Sequence, residues 1–164
     1  MIDLRKRSWW NYIHSDIREL LYESLILIEK VRKWDEKFND YAFVVFPAAK
    51  AYEGFLKFLF FKMNFISQEK YFSKGFRIGK ALNPSLEKFL REQEGVYDKI
   101  VDHCGGEILA AELWETWKSC RNVLFHWFPE EKNMIDFSEA EDRVNRVINT
   151  MDLAFRECKI NYRH

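Results

Sequence analysis

The stretch Tyr41–Phe65, YAFVVFPAAKAYEGFLKFLFFKMNF, decides the fold class. It carries two apolar stripes at helical spacing. Val45, Ala48, Tyr52, Phe55 and Leu59 form one, and Phe46, Ala49, Leu56, Phe60 and Met63 form the other. A helix apolar on both stripes belongs in the centre of a bundle or at a subunit interface. Pro47 is expected in its first turns, where a missing N–H costs little. Glu53 interrupts the second stripe, and Lys50 lies one turn earlier on the same face. An unpaired carboxylate is costly to bury, so Glu53 calls for a cation, either Lys50 or Arg121 from another helix. The pair is then a structural ion pair or a device that orients a functional arginine.

Outward toward the N-terminus, Ile13, Ile17, Leu20, Leu21, Ser24, Leu27, Ile28, Val31, Trp34 and Phe38 repeat at helical spacing. They predict a long amphipathic helix over 13–38, capped by Ser15-Asp16. Residues 1–12, with Arg5, Lys6, Arg7, Trp9 and Trp10, read as a flexible arm or a short docking element. Outward toward the C-terminus, Ser67–Asn83 reads as irregular, and Asn83-Pro84 as the cap and first residue of one or two short helices running to about His103. Gly105-Gly106 breaks the chain. Glu107–Phe128 is the third long helix, with Ala110, Leu113, Trp114, Trp117, Cys120, Arg121, Leu124 and Phe128 inward, and Pro129 stopping it. Ser138 and Glu141 read as a capping box for a last helix ending near Cys158. The expectation is an all-α up-and-down four-helix bundle, one domain over 1–164, with a short helical insert over 66–105 between the second and third long helices. No strand is expected.

Composition agrees with long uninterrupted elements. The chain has 164 residues, 48% apolar and 17% aromatic, with six Gly and three Pro, which excludes a disordered chain and a turn-rich β fold. Its 26 basic and 26 acidic residues cancel, so no bulk field draws in nucleic acid and any RNA contact rests on local patches. Cys104, Cys120 and Cys158 are odd in number and form no C-x-x-C, which predicts free thiols in a reducing compartment. The first residues are charged with no apolar region behind them, so no secretory signal is expected. The longest apolar run, Ala42 to Ala49, is far short of the roughly 20 residues that cross a bilayer. A soluble, cytoplasmic protein with no membrane partner is expected.

The chemistry concentrates in Arg121-Asn122-Val123-Leu124-Phe125-His126. A guanidinium is a permanent phosphate clamp, and an imidazole exchanges protons near neutral pH. Five residues amount to about 140° around a helix, so Arg121 and His126 straddle a face, while Asn122 and His126 share one. A straddling pair suits a groove on a two-fold axis. Near the carbonyl end of a helix the dipole favours imidazolium by roughly 0.3–1 kcal/mol. The same spacing also arises with no chemistry attached, the Arg meeting an acidic neighbour and the His filling a niche against Trp127.

These six residues resemble the R-x4–6-H signature of the HEPN superfamily, many of whose members are metal-independent ribonucleases. The resemblance widens with Ala51-Tyr52-Glu53-Gly54-Phe55-Leu56-Lys57, followed by a basic Gly-containing segment and the R-N-x-x-x-H helix. Over about residues 41–160 this is similar to the C-terminal domain of RnlA/LsoA-type (RNase LS) toxins. The resemblance implies a homodimeric, cofactor-free endoribonuclease that serves as a toxin or phage-defence effector. It would cleave single-stranded RNA by 2′-OH attack, leaving a 2′,3′-cyclic phosphate and a 5′-hydroxyl. It implies that Lys50, Glu53, Arg121 and His126 act together, with Asn122 positioning the phosphate or the imidazole. Lys50 stands where an Arg is also found and lacks its planar fork. The N-terminal domains of those toxins have no counterpart in these residues, so the identity of a cognate antitoxin does not carry over. A catalytically silent HEPN module binding RNA, a nucleotide or a protein, or a purely structural helical dimer, are the other classes.

Lys70, Lys74, Arg77 and Lys80 interleave with Tyr71, Phe72 and Phe76. Stacking plus charge holds single-stranded nucleic acid; a solvated loop whose aromatics dock on the bundle fits equally. No metal site is expected, since adjacent His103-Cys104 cannot share one ion and no finger spacing occurs. Lys74–Lys80 lacks the P-loop order, and no Ser–His–Asp set stands out. The second helix and the Trp114-Trp117-Phe125-Trp127 region hold more large apolar side chains than one small bundle needs, which predicts dimerisation through the face that carries the motif.

Overall fold

A computed structural model describes residues 2–130 and 133–160; the rest of the expected domain 1–164 lies outside the described residues. All regular structure among the described residues is helical. The helices are α1 (Ser15–Val31), α2 (Ala42–Lys62), α3 (Gln68–Phe72), α4 (Ile78–Ala81), α5 (Lys88–Glu94), α6 (Tyr97–His103), α7 (Gly106–Trp117) and α8 (Phe137–Glu157). A 3-10 turn (Leu4–Lys6) precedes α1, and a π turn (Lys118–Asn122) continues α7. Among the described residues no helix is long and apolar enough to cross a membrane.

α2 is the central element, as its two stripes require. It packs on α1 and α8 and touches α7, the π turn, α3 and α4. Ala48, Tyr52, Phe55, Leu56, Leu59 and Phe60 are buried along it. Phe46 is the exception: the stripe opens at its N-terminal end and leaves this ring 55% exposed. Pro47 falls inside the helix, just past the first turn, and removes the N–H that the Phe43 carbonyl would receive. The polar residue in the α1 stripe has its explanation here. Ser24 is buried; its hydroxyl donates to the Val44 carbonyl at 2.9 Å and accepts from the Ala48 N–H at 2.8 Å. It thus bridges the turn of α2 that holds Pro47. Further along, Gly54 lets α1 approach closely, since a Cβ there would stand 3.2 Å from the Ile17 side chain.

α1 ends at Val31 rather than Phe38. Beyond it Trp34, Phe38, Tyr41 and Phe43 form an exposed chain of ring contacts, 5.3–5.8 Å between neighbouring centroids. Asp40 replaces a helical continuation with a junction: its Oδ1 accepts from Ala42 N–H at 3.0 Å and from Ile135 N–H at 3.3 Å. The α1 start is capped at His14 without a side-chain bond, not by Ser15-Asp16. The N-terminal segment is a docking element, with Leu4 and Trp9 fully buried and Arg7 paired to Asp152 of α8.

The stretch 67–83 is more ordered than its composition suggests, because it holds α3 and α4. Ser67 caps α3 by accepting from Lys70 N–H at 3.2 Å. Asn83 makes a turn instead of a helix cap; its Oδ1 accepts from Ser85 N–H at 2.9 Å and α5 begins only at Lys88. Gly79 is demanded by packing, since a Cβ there would lie 2.1 Å from Cη2 of Trp117. The capping box of α8 is Asp136 with Glu139, two residues before the expected Ser138 and Glu141. Asp caps as well as Ser, and Glu141 instead pairs with Arg32. A polar cluster joins α7 to α8: Arg146 grips Glu112 through Nε and Nη2, both at 3.1 Å, and Thr116 and Thr150 hydrogen-bond at 3.0 Å.

The cysteine expectation is overturned. Cys104, after α6, and Cys158, after α8, form a disulfide across 54 residues, and only Cys120 is free and buried. Sequence spacing carries no trace of so distant a pairing. Disulfides persist in oxidising surroundings, so the bond weighs against the reducing compartment inferred from the cysteine count.

Candidate functional site

The site begins where α7 changes its winding. The sequence predicts α-helix to Phe128; the structure has α-helix to Trp117, a π turn to Asn122 and, among the described residues, no further helix before α8. Pro129 is therefore not what stops it. Side chains take two acceptors of the ladder: the Ser119 hydroxyl donates to the Glu115 carbonyl at 2.7 Å, and Arg143 of α8 donates to the Ser119 carbonyl. The Val123 N–H, deprived of Ser119, reaches Lys118 O at 2.9 Å, five residues back. Single π turns of this kind gather at functional sites.

Arg121 stands on this turn. Its Nε donates to Glu53 Oε2 of α2 at 3.2 Å. The two side chains are 38% and 40% exposed, so the pair lines the wall of a groove and is not sealed in the core. The groove, about 460 Å³, lies between α1, α2 and the π turn. That volume is in the range of small-ligand sites. Lys50, Glu53 and Lys57 of α2 line it, with Arg121, Asp16 of α1, and an apolar wall that includes Ile17, Leu20, Phe46 and Phe125. Of the two cations open to Glu53, Arg121 is the partner; Lys50 is exposed in the same groove.

His126 lies past the π turn, exposed, in a neighbouring hollow of about 350 Å³ with Asp40, Trp127, Asn133 and Met134. Phe125 is the wall common to both hollows. The structure thus brings together Lys50, Glu53 and Arg121, and sets His126 on the other side of Phe125. Asn122 does not share a helical face with His126. It meets the imidazole through its main-chain carbonyl, which accepts from Nδ1. A carbonyl can only accept, so Nδ1 carries a proton, and Nε2 has no partner among the described residues. Asn133 secures this segment by donating through Nδ2 to the Val123 carbonyl at 3.2 Å and to the His126 carbonyl.

Three of the four insert cations gather in a cavity of about 450 Å³: Lys70, Arg77 and Lys80 line it with Ser73, Phe76 and Glu94, while Lys74 is exposed outside it. Two are already engaged, Lys80 with Glu94 at 2.8 Å and Lys70 with the Gln93 carbonyl at 2.9 Å. Tyr71 docks on the bundle, stacked on Phe61 with centroids 4.5 Å apart, whereas Phe72 points outward and is 70% exposed. Burial, with a lesser contribution from Asp16, holds the Tyr71 phenol above its ordinary value, so it is neutral at physiological pH. Among the described residues no three His, Cys, Asp or Glu side chains cluster as a metal-holding group.

Lys57, Asp16 and Asn133 were not singled out as site residues from sequence. Lys57 had a signal, seven residues and thus about two turns after Lys50 on one face of α2. Asn133 had none, because its contacts depend on how the chain returns from 126 to α8.

Comparison of the chain with family models, with curated proteins and with solved structures gave no match.

Proposed function

We propose that this chain is a metal-independent endoribonuclease of the HEPN type, built on an up-and-down bundle of α1, α2, α7 and α8. It acts on single-stranded RNA as a homodimer, in a toxin or phage-defence role, with a cognate antitoxin where one exists. One observation carries the proposal. A guanidinium aimed by a carboxylate into a groove, Arg121 on Glu53, stands one residue wall from an exposed imidazole whose Nδ1 is committed and whose Nε2 has no partner among the described residues.

The steps follow from those atoms. His126 Nε2 removes the proton from a ribose 2′-OH. The 2′-oxygen attacks the adjacent phosphorus and the bond to the 5′-oxygen breaks. Arg121, its Nε kept on Glu53, turns its Nη donors to the phosphate and offsets the charge that builds on its oxygens. The proton ends on the 5′-oxygen, so the products are a 2′,3′-cyclic phosphate and a 5′-hydroxyl. Lys50 adds a second positive charge beside the phosphate, and Asn122 holds the imidazole through its carbonyl.

The separation of Arg121 from His126 by Phe125 gives the dimer a chemical purpose. Around the two hollows Phe43, Phe46, Trp127, Phe128 and Met134 are exposed, Trp127 at 79%. Large apolar side chains exposed together on one region of a surface mark an interface. Pairing two copies there lets Arg121 of one chain work with His126 of the other. The same separation favours a second reading, a catalytically silent module that binds RNA, a nucleotide or a protein at Arg121. Mixing inactive Arg121→Ala and His126→Ala chains separates them. Composite sites regain cleavage in mixed dimers, because one of the two sites holds both intact residues; a silent module stays inert in every combination, wild type included.

A further inference from the structure

We propose that the Arg121 groove and the basic cavity of the insert form one continuous track for single-stranded RNA, joined at Lys57, an inference that rests on the ribonuclease reading. Lys57 lines the groove, and its Nζ donates to the Ser73 carbonyl at 3.0 Å. Ser73 in turn lines the cavity of Lys70, Arg77 and Lys80. The two hollows therefore meet at a single ammonium group. A lysine ammonium has three donors, and one is used on Ser73, so two are free for phosphate oxygens.

The charge is concentrated where the track runs. The whole chain has formal net charge zero. Across the two hollows six cations (Lys50, Lys57, Lys70, Arg77, Lys80, Arg121) face three carboxylates (Asp16, Glu53, Glu94). That local excess is the footprint of a phosphate backbone on an otherwise neutral protein. From Lys50 to Lys57 the helix rises about 10 Å, and Gly54 lines the groove between Glu53 and Lys57 with no side chain to block it. The track is thus longer than one phosphate. At the junction stand aromatics as well: the Lys57 ammonium is 6.0 Å from the Tyr71 ring centroid, and the exposed Phe72 ring meets Tyr71 edge-on at 5.0 Å. Tyr71 is docked and braces Phe72, whose exposed ring beside these cations can stack an unpaired base without a sequence code, which a duplex with its bases stacked inside cannot use. The substrate is therefore an extended, unpaired RNA, held by several nucleotides on the insert side of the scissile bond.

The test uses the full chain carrying His126→Ala, so that RNA is bound and not cut, with fluorescent unstructured RNA read by anisotropy. A dodecanucleotide should bind at least tenfold more tightly than a trinucleotide, and more tightly than the same sequence as a duplex. Adding Lys57→Gln should weaken the dodecanucleotide about fivefold at 0.1 M salt and lower the log–log salt slope by about 0.7, the effect of one lost phosphate contact. Adding Arg77→Gln should do the same for the dodecanucleotide and leave the trinucleotide unchanged. Far-ultraviolet circular dichroism of each variant should match the parent, which separates lost contact from lost fold. Long RNA that binds with unaltered slope in both variants overturns the track while leaving the ribonuclease reading in place. Failure to bind RNA of any length overturns that reading too.

Discussion

Glu53→Gln separates what this residue does for the fold from what it does for the site. The Glu53–Arg121 contact is one hydrogen bond at 3.2 Å between side chains that are 40% and 38% exposed. Ion pairs at such exposure contribute about 0.2–1 kcal/mol. The glutamine carbonyl still accepts from Nε–H, so only the charge is removed. For a chain of this size 1 kcal/mol shifts Tm by about 2–4 °C, so the variant should melt no more than about 4 °C below wild type. That gap should narrow in 1 M salt, where the screening length falls to about 3 Å. The cost to the site is of another order. A neutral acceptor holds the guanidinium about half as strongly as a carboxylate, so its direction is less firmly fixed, and misplacement of about 1 Å costs on the order of 100-fold in rate. The expected result is a fall in kcat of at least tenfold with KM little changed, the pattern of an interaction made in the transition state. Melting curves at two salt concentrations and single-turnover cleavage of end-labelled RNA measure both. A hydrophobic replacement outperforms an ion pair where the pair is buried; this pair is half-exposed, so Glu53→Leu should show no gain in stability. A loss above about 3 kcal/mol in Glu53→Gln, the signature of a broken buried pair, or unchanged cleavage, would refute this account of Glu53.

Tyr52→Phe should cost about 1 kcal/mol, because the buried hydroxyl donates to the Leu113 carbonyl at 3.1 Å. Burial, then the nearby Cys120 and Glu112, raise the Tyr52 phenol well above 10. Above about pH 10 the unfolded chain releases a proton that the folded chain keeps, so stability falls as pH rises through that range and is flat in this term below it. Urea melts from pH 8 to about 11 should show that fall, and Tyr52→Phe should lessen it; an identical alkaline slope in the variant contradicts the assignment. Gly79→Ala puts a methyl 2.1 Å from Trp117 Cη2, an overpacking that should cost about 1–3 kcal/mol and outweigh the helix propensity gained in α4; a variant as stable as wild type would show that this contact yields freely.

What the sequence made legible was set by periodicity. The double stripe of α2 predicted a central helix and an all-helical fold, and Glu53 standing in that stripe predicted a cation from across the bundle, which is Arg121. Ser24 was visible as an oddity in the α1 stripe, but its role between Val44 and Ala48 needed the second helix in place. The illegible parts depend on competition between distant groups. The helix of the R-N-x-x-x-H motif is periodic to Phe128, yet Arg143, more than twenty residues on, takes the Ser119 carbonyl and widens the winding. That changes where His126 lies relative to Arg121, and no spacing rule contains it. The Asp136 and Ser138 boxes have the same spacing, and the choice between them falls to what Glu141 finds on Arg32. The Cys104–Cys158 bond joins helix ends that only the tertiary fold brings together.

The measurement that bears most directly on the central claim is the fate of an unstructured, end-labelled RNA incubated with wild-type, Arg121→Ala and His126→Ala chains in excess EDTA. The account predicts fragments ending in a 2′,3′-cyclic phosphate with wild type. Each variant should lose about 10²–10⁴-fold in rate, as for removal of an acid–base or charge-stabilising group, with its helical circular dichroism intact. Equal cleavage by all three chains, or cleavage that stops in EDTA and returns with Mg²⁺ or Mn²⁺, would contradict it.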